Sequence, residues 1–209
     1  LGDHVTAPLP DNFPALVARA AREFGPSEAI SDGDVSYSFA EVADLIDTAS
    51  GALVASGVQR GDRVAVWAPN SWEWVIAAMA VFSSGAVLVP VNTRFKGREA
   101  AFVLNKSEVK LLFTVVGFLE NDYVADLQDS GETIDSLETI VVLRGDTPDG
   151  TVSFAEFLQR STDESLKEMR VRSAQVVGSD LGLIMFTSGT TGAPKGVMVE
   201  QGPCLLYTS

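Results

Sequence analysis

The chain of 209 residues is 46% hydrophobic and 21% charged, an ordinary globular composition with enough length for one substantial core. Its net charge of -13, without a stripe of lysines and arginines that could follow a phosphate backbone, argues against a nucleic-acid partner. One Cys and one His leave no soft-ligand set for zinc or an iron–sulfur cluster and no cysteine pair, which points to a cytoplasmic protein.

In chain order, Asp11 precedes an apolar series at helical spacing, Phe13, Leu16, Val17, Ala20, Ala21 and Phe24, that Gly25-Pro26 ends. Two short segments, 28–31 and 35–37, flank Asp32-Gly33-Asp34 and predict a tight hairpin. Ser38 and Glu41 form a capping box for a helix to about Ser56, which Gly57 stops. The chain then alternates strand 63–68, helix 71–83, strand 87–89, helix 97–106 and strand 110–115. Short apolar β runs separated by helices predict an α/β fold with a mostly parallel sheet covered on both faces. The pattern is weaker over 120–179, with a strand at 139–143 and a helix at 153–160.

The longest uncharged run, Val75 to Val91, is interrupted by Ser83, Ser84 and Gly85 and closed by Pro90, so it reads as a buried helix and strand rather than a membrane span. No signal peptide is visible. The chain begins at Leu1, and Cys204 to Ser209 abandon the preceding pattern. Those six residues are what TGT CTC TTA TAC ACA TCT encodes, the mosaic end of transposase-type sequencing adapters. The expectation is a domain over 1–203 with an adapter-derived tail over 204–209.

After an apolar strand, 181–186, come Thr187, Ser188, Gly189, Thr190, Thr191, Gly192, Ala193, Pro194, Lys195 and Gly196. Glycines admit an anion to backbone N–H groups, hydroxyls add donors, and Lys195 supplies a compact positive charge, so the stretch could cradle a polyphosphate. It is not a Walker loop, since Pro194 and Gly196 stand where the second glycine and the metal-binding hydroxyl belong. From composition alone, an ordinary Gly/Ser/Thr surface loop explains it equally well.

The run from Phe186 to Val197 resembles the signature loop of the adenylate-forming superfamily, which includes acyl-CoA synthetases, luciferases and peptide-synthetase adenylation domains. The resemblance extends through Tyr37-Ser38-Phe39-Ala40-Glu41-Val42, the 57–65 segment, Ala68-Pro69-Asn70-Ser71 and the 85–95 segment. Pro90-Val91-Asn92-Thr93-Arg94 is similar to the acyl-CoA synthetase version. The resemblance implies an AMP-forming ligase in which a carboxylate attacks the α-phosphate of ATP, pyrophosphate leaves, and CoA captures the acyl-adenylate. It implies phosphate contacts from Thr187, Ser188, Gly189, Thr190, Thr191, Gly192 and Lys195, with Pro194 and Gly196 shaping the turn and Phe186 replacing a commoner Tyr. The catalytic lysine and the Mg2+ ligand are expected downstream, and Gln201 stands where relatives often carry a His. A carrier-protein-loading enzyme and a non-catalytic nucleotide-binding protein remain the alternatives.

Other conspicuous residues have plainer readings. Trp67, Trp72 and Trp74 are expected to be packing residues. Asp32, Asp34, Asp44 and Asp47 lack the spacing of a calcium loop and are expected on the solvated surface, as is His4 in a terminal segment.

Overall fold

A computed structural model of the chain describes residues 10–187 and 194–206. Asn12, one residue after Asp11, caps helix α1 (Phe13–Phe24) by accepting the Ala15 N–H on its side chain. Strands β1 (Glu28–Asp32) and β2 (Val35–Ser38) turn through Gly33, whose φ of 61° is open to glycine at little cost. Ser38 and Glu41 then exchange hydrogen bonds of 2.8 and 3.3 Å as a capping box and open helix α2 (Phe39–Ala55).

The next five elements follow the predicted alternation: β3 (Arg63–Trp67), α3 (Trp72–Ser83), β4 (Val87–Pro90), α4 (Gly97–Lys106) and β5 (Val109–Phe118). Beyond them lie β6 (Asn121–Asp122), α5 (Tyr123–Asp129), β7 (Thr139–Arg144), β8 (Val152–Ser153), α6 (Phe154–Leu158) and α7 (Asp163–Ala174). The described chain closes with β9 (Leu181–Thr187), β10 (Lys195–Glu200) and α8 (Gln201–Leu206). Cys204 to Leu206 of the suspected tail thus lie in α8, while 207–209 and His4 are outside the described residues.

The large sheet runs β10-β9-β4-β3-β5-β7-β8, parallel except that β10 is antiparallel to β9, with β6 antiparallel to the end of β5. From β3 the chain moves one way to β4 and then back across β3 to β5. Right-handed crossovers in opposite directions must lie on opposite faces. Accordingly α3 packs on β3 and β4, joined by α1, α2 and α7, while α4 and α5 pack with β5. Both faces are covered, as the apolar strands require.

The core is centred on β3, β4 and β5, whose Val64, Ala65, Val66, Val89 and Phe113 are all 0% exposed. Trp67 is also fully buried and stacks on Tyr123, with ring centroids 4.3 Å apart. Trp72 and Trp74 pack against the edge of the same core, so all three tryptophans serve packing. Gln201 is buried too, and its Oε1 accepts the Phe13 N–H, a first-turn donor of α1 that has no partner within the helix.

Candidate functional site

Strands β9 and β10 form a hairpin in which Thr187 faces Lys195 across the register and Phe186 faces Gly196. The glycine- and hydroxyl-rich stretch therefore starts at the carboxyl end of β9 and ends where β10 begins. Ser188, Gly189, Thr190, Thr191 and Gly192 lie outside the described residues; Thr187 and Lys195 are both exposed at the mouth. Lys195 is not on an open loop, because backbone pairing to β9 draws it into the first position of a strand. Gly196 likewise belongs to the strand rather than the turn. A Cβ there would come within 3.1 Å of Ile184 and 3.3 Å of the Phe186 ring, so the missing side chain lets that aromatic ring lie over the backbone.

Three further connections share this edge of the sheet: 68–71 after β3, 91–96 after β4 and 119–120 after β5. After β4, the Phe95 N–H donates to Asn92 O at 3.0 Å and the Arg94 N–H to Asn92 Oδ1 at 3.0 Å, giving a compact turn over 92–95. Between the β3 and β5 connections lies a cavity of about 310 Å3 that includes Asn70, Ser71, Gly117 and Arg144 in its lining. Crevices at the carboxyl ends of parallel strands, where the winding direction reverses, are the usual ligand sites of such sheets.

The charges here are arranged by structure rather than by surface chance. Asp32, expected on the solvated surface, accepts from Arg144 at 2.5 Å and from the Trp72 N–H at 3.3 Å, because the β1–β2 hairpin folds against the start of α3. Arg144 also donates to Glu73 at 2.6 Å, whose second oxygen, Oε2, is buried without a hydrogen-bond partner among the described residues. Lys195 differs: no carboxylate among the described residues pairs with it, so its charge is available at the hairpin mouth. Asp47 is half-buried instead of solvated, since the inward side of α2 packs on α7.

These contacts set a pH response. Hydrogen bonds from Arg144, then from the Trp72 N–H, hold the Asp32 carboxyl below its ordinary 3.8. The backbone and hydroxyl of Ser38 lower Glu41, and the hydroxyl and backbone of Ser153 lower Glu156, both from 4.5. A depressed folded value contributes stability that is whole above the unfolded value and is lost as pH falls through the folded one. The urea midpoint is therefore expected to hold between about pH 7 and 5 and to fall below about pH 4. Asp47 acts in the opposite sense, because burial raises its pKa and its ionised form is penalised at neutral pH. Asp47→Asn should raise the midpoint at pH 7 and matter less in acid; a lowered midpoint at pH 7 would contradict this account.

The comparisons with known proteins agree on one family. The AMP-binding enzyme family matches this chain over residues 17–208. This chain belongs to the AMP-binding enzyme family. A 3-[(3aS,4S,7aS)-7a-methyl-1,5-dioxo-octahydro-1H-inden-4-yl]propanoyl:CoA ligase of Rhodococcus jostii is 40% identical over 193 residues, 90% of this chain and 37% of the relative. The mitochondrial medium-chain acyl-CoA ligase of Homo sapiens is 30% identical over 182 residues, 80% of this chain and 29% of its own length. The anthranilate CoA ligase AuaEII, solved in complex with anthranoyl-AMP, superposes with a TM-score of 0.80 over 94% of this chain and 36% of that one. At 24% identity that likeness establishes the α/β fold. The chain spans between 29% and 37% of the length of these relatives. Among the described residues no helix is long and apolar enough to cross a membrane, and no three His, Cys, Asp or Glu gather to hold a metal.

Proposed function

We propose that this chain is the phosphate-gripping segment of an AMP-forming acid–CoA ligase. The observation that carries the reading is the hairpin mouth, where Lys195, with no carboxylate partner among the described residues, stands opposite Thr187 at the two ends of a stretch rich in glycine and hydroxyls. A departing pyrophosphate needs fixed positive charge and donors aimed where its charge develops. On this reading Lys195 supplies the charge, and Thr187, Ser188, Gly189, Thr190, Thr191 and Gly192 supply hydroxyl and backbone donors. The substrate carboxylate attacks the α-phosphate of ATP, pyrophosphate leaves, and the CoA thiol then displaces AMP from the acyl-adenylate. Mg2+ and the catalytic lysine would be held by segments other than the described residues.

The proposal assigns residues 1–203 to the N-terminal domain of such a ligase and 204–209 to an adapter-derived tail. It places the enzyme in the cytoplasm, a reading that rests on the lack of a cysteine pair in the sequence. The ligase names of the relatives favour CoA over a carrier protein as acceptor. The test is acid-dependent exchange of labelled pyrophosphate into ATP by a full-length ligase carrying this chain, followed by mass detection of an acyl-CoA thioester. Exchange with thioester formation is the expected result; ATP binding without any acyl-adenylate would leave a nucleotide-binding protein in place of a ligase.

A further inference from the structure

Strand β9 has two neighbours, and only one belongs to the hairpin. On its other side lies β4, paired with it in parallel at Leu88 and Leu183. Counting four residues on from that pair along both strands reaches Asn92 and Thr187, so the 92–95 turn follows β4 at the same edge of the sheet where β9 ends and Lys195 begins β10. Two buried side chains reach successive carbonyls of this turn. Trp67 Nε1–H donates to Asn92 O at 3.2 Å, and the Tyr123 hydroxyl donates to Thr93 O at 2.9 Å. Their rings stack, and they are 0% and 2% exposed.

Buried indole and phenol donors need partners, and here each finds its partner in one short turn. The turn is thereby tied to the ends of two different elements, β3 through Trp67 and α5 through Tyr123. Thr114 extends the tie, its hydroxyl donating to Trp67 O at 3.0 Å. A loop beside a ligand site would ordinarily be free to shift. This one is fixed from beneath by a stacked pair.

We infer that Trp67 and Tyr123 are positioning residues of the phosphate site: through their two hydrogen bonds they hold the Asn92–Phe95 turn as a rigid wall beside Thr187 and so set the affinity for a polyphosphate. The inference rests on the reading of the hairpin as the polyphosphate grip. Neither side chain touches the ligand. Tyr123→Phe removes one oxygen and leaves the stack, which separates positioning from packing.

The experiment titrates a full-length ligase carrying this chain with sodium pyrophosphate, following binding by calorimetry and amide exchange by mass spectrometry, in wild type, Tyr123→Phe, Lys195→Ala and Ile46→Val. Ile46 is buried in α2, away from the sheet edge, and its variant serves as a core control with a small stability loss. Tyr123→Phe should weaken pyrophosphate binding roughly 3- to 10-fold, the scale of one lost hydrogen bond, and speed amide exchange at Arg94 and Phe95. Ile46→Val should leave the affinity within about 1.5-fold, a core change far from the site having no route to it. Unchanged binding in Tyr123→Phe, with Lys195→Ala weakened, overturns the positioning role alone. Equal binding in wild type and Lys195→Ala, or none in wild type, overturns the grip itself and the positioning role with it.

Discussion

Lys195→Ala in a full-length ligase carrying this chain is expected to lower acid-dependent pyrophosphate exchange by about 100-fold, the scale seen when one preorganised group facing developing charge is removed. The melting temperature should move by no more than about 2 °C, because exposed substitutions away from special contacts change stability by about 0.5 kcal/mol or less. The split follows from the structure: Lys195 is exposed at the hairpin mouth and its backbone, not its side chain, makes the strand. Lys195→Arg keeps the charge but spreads it over a planar fork, so partial activity is expected from it. Parallel exchange assays and thermal melts decide the matter. Wild-type exchange in Lys195→Ala would take the residue out of the site, and a collapsed melt would make its role structural.

Phe113→Ala is expected to have the largest effect on stability. Phe113 is 0% exposed at the middle of β5, paired in register with Val66 of β3 and Val141 of β7. Its ring meets Phe157 edge-on at 5.2 Å and 87°, and Phe154 at 6.4 Å and 81°. Truncation removes both contacts and leaves a cavity that neighbouring strands, held by the ladder, can fill only in part. The expected loss is about 3–5 kcal/mol, a large share of the roughly 5–15 kcal/mol that holds a domain folded. Urea unfolding should show the midpoint falling with the slope unchanged. Phe113→Leu should cost distinctly less; equal losses would mean that the ring edges contribute nothing beyond volume.

The first half of the fold was legible because its signals are local and agree. Ser38 with Glu41, Ser71 before Trp72, and Gly57 after α2 mark the ends of elements that apolar spacing already outlines. In the second half the readings at 139–143, 153–160 and 181–186 meet β7, α6 and β9, and the other elements hide for physical reasons. Helix α7 buries only Ser165 and Met169, so its sequence carries almost no helical stripe. Strand β6 follows a turn through Leu119 and Glu120, both at positive φ, where neither residue type announces a turn. Strand β10 exposes Val197 and Met198, 47% and 72%, and owes its conformation to the backbone of β9 rather than to burial.

The candidate site was legible as a motif and not as a place. Composition could not say that Lys195 would stand opposite Thr187, since that depends on register across a hairpin. In the sequence Gln201 reads only as a substitute for a His, whereas it completes the first turn of a helix 188 residues away. The Arg144 contacts with Asp32 and Glu73 likewise join segments that no local pattern connects. Long-range pairings of this sort are set by topology, which a single sequence encodes only through the whole fold.

Strand β4 is bordered by β3 on one side and by β9 on the other, yet the 90 residues from 91 to 180 separate β4 from β9 along the chain. During synthesis at about 5–20 residues per second, that interval lasts roughly 5 to 18 s. For that time the nascent sheet holds Val87–Pro90 with one row of backbone donors and acceptors unfilled, a template for any strand that passes. The ribosome, in effect, delivers the second neighbour of β4 long after the first.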